Sequence, residues 1–185
     1  MEELDIPATL AKLETYGKVC QLSPIERVLA GHTGTVVLLL SLYFNKLVEV
    51  VVVEQEETPA LQDELGPRSI GPDASAYSEG VIHRRVELVA GRQVVARAST
   101  VIPSSILPGQ RIGSNSVRVL KEVRRREMGI GHIAVKLGIP TQRTIICVEA
   151  TAEELSRTYV MQGRGLYYTI TETFPRKLYG HSETR

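Results

Sequence analysis

Two stretches of alternating residues, each turned back through glycine, constrain this chain more than any other feature. Val81 to Ala90 and Gln93 to Pro103 alternate around Gly91-Arg92. Ser156 to Gln162 and Leu166 to Phe174 alternate around Gly163-Arg164-Gly165. Period-two patterning on both sides of a glycine turn is the signature of a β-hairpin. Parallel strands need long crossovers, usually helical, and here strand follows strand directly. Helical patterns fall in separate blocks, so the expected class is α+β: an antiparallel β-sheet flanked by helices.

The remaining elements fit that frame. Residues 6 to 20 carry Leu10, Leu13 and Tyr16 at helical spacing, a weak first helix. Thr33-Gly-Thr35 stands before the apolar run Val36 to Phe44, and a hydroxyl in that place is an N-cap signal. The run is too short to span a bilayer and reads as a buried helix. Leu47 to Glu54 is dense in valine and reads as a strand. From Glu56 to Gly80 the chain is rich in Pro, Gly, Ser and Asp, a long loop that is either a lid or a plain excursion. Ser114 to Arg126 and Gly129 to Leu137 read as helices, and Thr141 to Ala150 as a strand. With no repeat and no linker, residues 1 to 185 are expected to form one domain.

Composition removes several function classes. The net charge is +1, which gives no general attraction to nucleic acid or an anionic membrane. Tryptophan is absent and aromatics make up 5%, against a base-stacking platform. Cys20 and Cys147 have no metal-type spacing and read as free thiols. His32, His83, His132 and His181 are scattered, so no metal site is expected. The start, Met1-Glu-Glu-Leu-Asp, is acidic and unlike a secretory leader, and a cytoplasmic location is expected. The basic cluster from Arg118 to Glu127 reads as a solvated helix face offset by Glu122 and Glu127. Gly129-Ile-Gly131-His132 is too short for a nucleotide loop but can offer backbone amides to an anion at a helix start.

Two charges stand in the wrong phase. Along the strand from Val81, one face is Ile82, Arg84, Val86 and Leu88, and the other is His83, Arg85 and Glu87. Arg84 therefore points toward the core and Arg85 toward water. Along the last strand, Tyr168, Ile170, Glu172 and Phe174 share one face, and threonines take the other. A buried lone charge costs several kcal/mol in effective terms. Either Arg84 and Glu172 pair with each other, or they face a cavity with a cation at one end and a carboxyl group at the other. Arginine holds a carboxylate by two parallel hydrogen bonds. A glutamate in an apolar pocket can serve as an acid or a base.

Arg84-Arg-Val-Glu-Leu88, Thr100-Val-Ile-Pro103, Gly131, Arg143, Arg157-Thr-Tyr159 and Thr171-Glu172-Thr-Phe-Pro175, in that order, resemble the chorismate pyruvate-lyase family. The likeness is to its archaeal and actinobacterial branch and runs from about Leu22 to Tyr179. The resemblance implies a closed internal pocket and cofactor-independent cleavage of chorismate to 4-hydroxybenzoate and pyruvate. By motif position it implies that Arg84 binds the ring carboxylate and that Glu172 sits by the ring oxygen. It also implies a backbone contact near Gly34 and Thr35, and family arginines at Arg143 and Arg157. Each of those two is equally readable as a structural arginine. Where the bacterial enzymes carry an arginine ahead of Thr-Val-x-Pro, this chain has Ser99, and Arg97 on the same strand face is the candidate substitute.

A second reading is a non-catalytic binder of an aromatic acid, related to the effector domains of GntR-type regulators, which share the fold. The partner in both cases is a small molecule. Those regulators carry an N-terminal winged helix, and about thirty residues before Gly34 are too few for one. A third reading, an interaction domain without a pocket, fits the inward charges worst.

Overall fold

The structure is a computed structural model that describes residues 22–58, 81–103, 114–163 and 166–180. Its elements run α1 (Pro24–Gly31), α2 (Val36–Phe44), β1 (Val48–Thr58), β2 (Val81–Ala90), β3 (Gln93–Pro103), α3 (Ser114–Arg124), α4 (Ile130–Lys136), β4 (Thr141–Ala150), β5 (Glu154–Gly163) and β6 (Leu166–Pro175), with a 3-10 turn at Arg176–Leu178. The six strands form one sheet in the order β1-β2-β3-β6-β5-β4, and each neighbouring pair is antiparallel. This is the α+β class expected from the hairpins, with both hairpins in place.

The departures from the sequence reading have local causes. Helix α1 went unread, although Ser23-Pro24-Ile25-Glu26 spells its start: the Ser23 hydroxyl accepts from the Glu26 amide, and the Glu26 carboxylate accepts from the Ser23 amide. Glu26 is then fully buried against Arg176, which fastens α1 to the end of β6. Helix α3 stops at Arg124 because Arg126 adopts a left-handed backbone, φ 61°, and gives its side chain to the Gln55 carbonyl. Strand β1 continues to Thr58, past Glu54. Helix α2 is only half buried: Val36 and Leu40 pack inward, while Leu38 and Leu42 stay in water. The first helix expected at residues 6 to 20, and the loop beyond Thr58, lie outside the described residues. No helix among the described residues is long and apolar enough to cross a membrane.

The strand phases hold. On β2 the buried side chains include Ile82, Arg84, Val86 and Leu88, and Arg85 is exposed. On β6 they are Leu166, Tyr168, Ile170, Glu172 and Phe174. Both edge strands carry a register shift. The register of β1 on β2 shifts between Val52 and Glu54, and that of β4 on β5 shifts between Ile145 and Cys147.

The inner face of the sheet carries two separate hydrophobic clusters. One gathers α1, α2 and one end of the sheet around Leu29, Leu40, Leu88, Leu155, Phe174 and Tyr179. The other gathers α3, α4 and the opposite end around Ile82, Ile102, Val123, Ile133, Met161 and Tyr168. Between them, across the middle of the sheet, lie two inward rows that are not uniformly apolar. The first row is Arg84, Thr100, Ile170, Tyr159 and Ile145; the second is Val86, Ala98, Glu172, Arg157 and Val148.

Candidate functional site

The small side chains of Ala98 and Thr100 hollow the centre of these rows. The result is a cavity of ≈ 60 Å³ on the inner sheet face. Its floor includes Arg84, Ala98, Thr100, Tyr159 and Glu172. Its roof is formed where two helices begin, at Gly34 to Val37 ahead of and within α2, and at Gly129 to His132 ahead of and within α4. Arg143 closes the β4 side.

Arg84 is 3% exposed. Its Nη1 donates to the Val123 carbonyl at 3.4 Å, and its Nη2 donates to the Met128 carbonyl. Val123 lies in the last turn of α3 and Met128 just beyond it, where the helix dipole favours a cation. Among the described residues no carboxylate pairs with Arg84, and its buried Nε–H has no acceptor. Burial, with Arg126 nearby, lowers its pKa from 12.5 to about 10. The group remains a cation at neutral pH, held at a cost that an arriving anion would relieve.

Glu172 does not pair with Arg84. Its partner is Arg157, directly opposite on β5. Arg157 Nε donates to Glu172 Oε2 at 2.8 Å, and Nη2 stands 2.6 Å from the same oxygen. The other oxygen, Oε1, accepts from the Tyr159 hydroxyl at 2.9 Å. Arg157 also donates through Nη1 to the carbonyls of Leu29 and His32, at 2.5 Å to the latter. Its guanidinium carbon lies 5.4 Å from the Tyr159 ring centre and 5.7 Å from that of Phe174. Arg157 is 1% exposed and outside the cavity wall, so it is committed to the fold. Burial first, and the Glu172 charge second, raise the Tyr159 pKa far above its usual value, so the phenol stays a donor.

Arg143 is half-buried on the inner phase of β4. Its Nη1 donates to the carbonyls of Thr33, at 2.8 Å, and Gly34. Its Nε–H is buried without an acceptor. A Cβ on Gly131 would stand 2.9 Å from Arg143 Nη2, so glycine there makes room for the guanidinium. Thr35 occupies the N-cap of α2, but its hydroxyl makes no capping bond. Arg97 is apart from all of this. It is exposed on the outer phase of β3 and pairs with Glu87 at 3.2 Å.

The structure thus gathers Arg84, Glu172, Gly34, Thr35, Gly131 and Arg143 around one cavity. It leaves Arg157 beneath the cavity and Arg97 on the other face. The sequence reading assigned no role to Tyr159 or Thr100. Tyr159 was visible two residues from Arg157, in the same phase. The hollow at Thr100 depends on strand order, which alternation alone does not reveal. In the basic cluster Arg125 pairs with Glu122, as Lys136 also does, whereas Arg124 pairs with Glu57 on β1 and not with Glu127.

No family model matches the chain, and no curated protein does. Among solved structures, PhnF from Mycobacterium smegmatis superposes with a TM-score of 0.51 at 13% identity, over 79% of this chain and 65% of that one. The chain therefore spans less than two thirds of that protein's length. The separate effector domain of the same PhnF gives 0.48 at 12% identity, over 78% of this chain and 90% of that one. The ligand-binding domain of a Bordetella bronchiseptica protein, classed with the GntR-family transcriptional regulators, gives 0.43 at 10% identity, over 69% and 83%. At these identities the likeness is one of fold.

These neighbours correct the chorismate pyruvate-lyase assignment suggested by the sequence motifs. The similar structures are PhnF, its effector domain and a ligand-binding domain classed with the GntR family, and the likeness to PhnF is one of this α+β fold, not of a lyase. The motif residues also have structural explanations that require no lyase. Thr100-Val-Ile-Pro103 is the end of β3, Arg157 is the buried partner of Glu172, and Thr171 to Pro175 is the alternation of β6.

Proposed function

We propose that this chain is a small-molecule-binding domain of the GntR effector type, and that its ligand is a small carboxylic acid anchored by Arg84. The observation that carries this is Arg84 itself: a buried guanidinium on a cavity wall, without a carboxylate partner among the described residues and with an unsatisfied Nε–H. Leaving such a group unpaired is costly, and an arriving carboxylate supplies the missing charge and acceptor. The chain shares its fold with PhnF.

The far side of the cavity suits a polar substituent. Glu172 lies two strands across and two residues along from Arg84, about 12 Å away between Cα atoms. Its carboxylate is held by Arg157 and Tyr159 and presents acceptor lone pairs. A ring acid with a hydroxyl opposite its carboxylate, such as 4-hydroxybenzoate, satisfies both ends. Between them Val50, Val86 and Ile170 offer apolar walls.

Calorimetric titration with 4-hydroxybenzoate tests the reading. Arg84→Ala is expected to weaken binding by about 2–5 kcal/mol, the range for removing one partner of a buried charge pair. Arg85→Ala, one residue away but on the exposed phase, is expected to leave affinity unchanged. Equal effects of the two substitutions, or no binding by the parent protein, would overturn the proposal.

A further inference from the structure

Around the cavity the charges do not cancel. Arg157 and Glu172 neutralise each other. Arg84 and Arg143 remain, and among the described residues neither has a carboxylate partner. The described side chains contain four buried polar atoms without partners, and two of them are the Nε–H groups of these arginines. Both arginines line the same cavity, one from β2 and the other from β4. The roof near Arg143 adds to this. Helix α2 begins at the cavity, where Val36 and Val37 line the wall and no side chain caps the first-turn amides.

We infer that the ligand carries two separated anionic groups, and that Arg143 with the start of α2 holds the second while Arg84 holds the first. The inference rests on the reading above and narrows its ligand class from a carboxylic acid to a dianionic acid. Arg143 meets loop carbonyls through Nη1, and its remaining N–H groups supply the second contact. Gly131 is part of this subsite: its missing side chain lets the guanidinium sit at the cavity wall. A monoanion leaves one of the two cations uncompensated.

Parallel titrations with benzoate, isophthalate and terephthalate at fixed ionic strength test this. At least one dicarboxylate is expected to bind about tenfold or more tightly than benzoate, the worth of one charge-assisted hydrogen bond. Arg143→Gln is expected to erase that advantage by lowering dicarboxylate affinity about tenfold more than benzoate affinity. Gly131→Ala is the second variant, because it suits a helix and displaces only the end of a flexible side chain. It is expected to reduce the same advantage in a protein that folds as the parent does. Benzoate binding as tightly as both dicarboxylates, or a preference that survives both variants, would overturn the second subsite and leave the Arg84 reading standing. Failure of all three acids to bind would overturn both.

Discussion

Arg157 and Arg84 share one sheet face and nearly the same burial, 1% and 3% exposed. Their surroundings differ completely. Arg157 has a carboxylate, two backbone carbonyls and two aromatic rings around it. Arg84 has two carbonyls and an idle Nε–H beside a cavity. Burial of a charge alone therefore says little about its purpose. The count of its unmet donors separates a charge that serves the fold from one kept for a ligand.

Breaking the Arg157 side should have the largest effect. Glu172→Ala leaves Arg157 buried without its counter-charge, and urea denaturation is expected to show a loss of about 3–5 kcal/mol. The Arg157→Met, Glu172→Met double variant should recover most of that loss, since a well-packed apolar pair often replaces a buried ion pair at little cost. Arg84→Met should behave differently. It removes two carbonyl contacts but also an uncompensated buried charge, so the ligand-free protein is expected to change by about 1 kcal/mol or less. A loss as large as that of Glu172→Ala would place Arg84 with Arg157 as a structural residue.

The smallest effect concerns pH. Burial first, and the Arg157 charge second, lower the His32 pKa from its ordinary 6.5. The unfolded chain then takes up a proton before the folded one does. This contribution to stability is complete above pH 6.5 and declines as pH falls below it. Melting curves from about pH 7 to 5 should show a shallower decline for His32→Gln than for the parent. Identical slopes would mean that neither burial nor Arg157 lowers the His32 pKa.

Alternation exposed Arg84 and Glu172 because a charge in an apolar phase is visible along a single strand. Partnership was not visible. Arg157 faces Glu172 only because β5 and β6 pair in one register, and the Arg84 acceptors come from a turn about forty residues away. The cavity was hidden for the same reason: Ala98 and Thr100 are unremarkable in β3 until five other strands are ordered around them. Half the exposure of α2 was equally unreadable, since a continuous apolar run does not say which of its sides meets the sheet.

The shift in β1 between Val52 and Glu54 decides the electrostatic character of the cavity. Val52 stands opposite Val86 on the inward phase. Simple alternation would next bring Glu54 opposite Arg84, where its carboxylate could close the guanidinium off. The extra residue at Val53 turns Glu54 outward instead, onto Arg85 at 2.5 Å, and sets the uncharged Gln55 opposite Arg84. One valine left out of the pairing thus keeps a glutamate on the outside of the sheet. A β1 that paired residue for residue through Val53, without the shift, would carry its own internal anion at this position, and its Arg84 would be occupied before any ligand arrived.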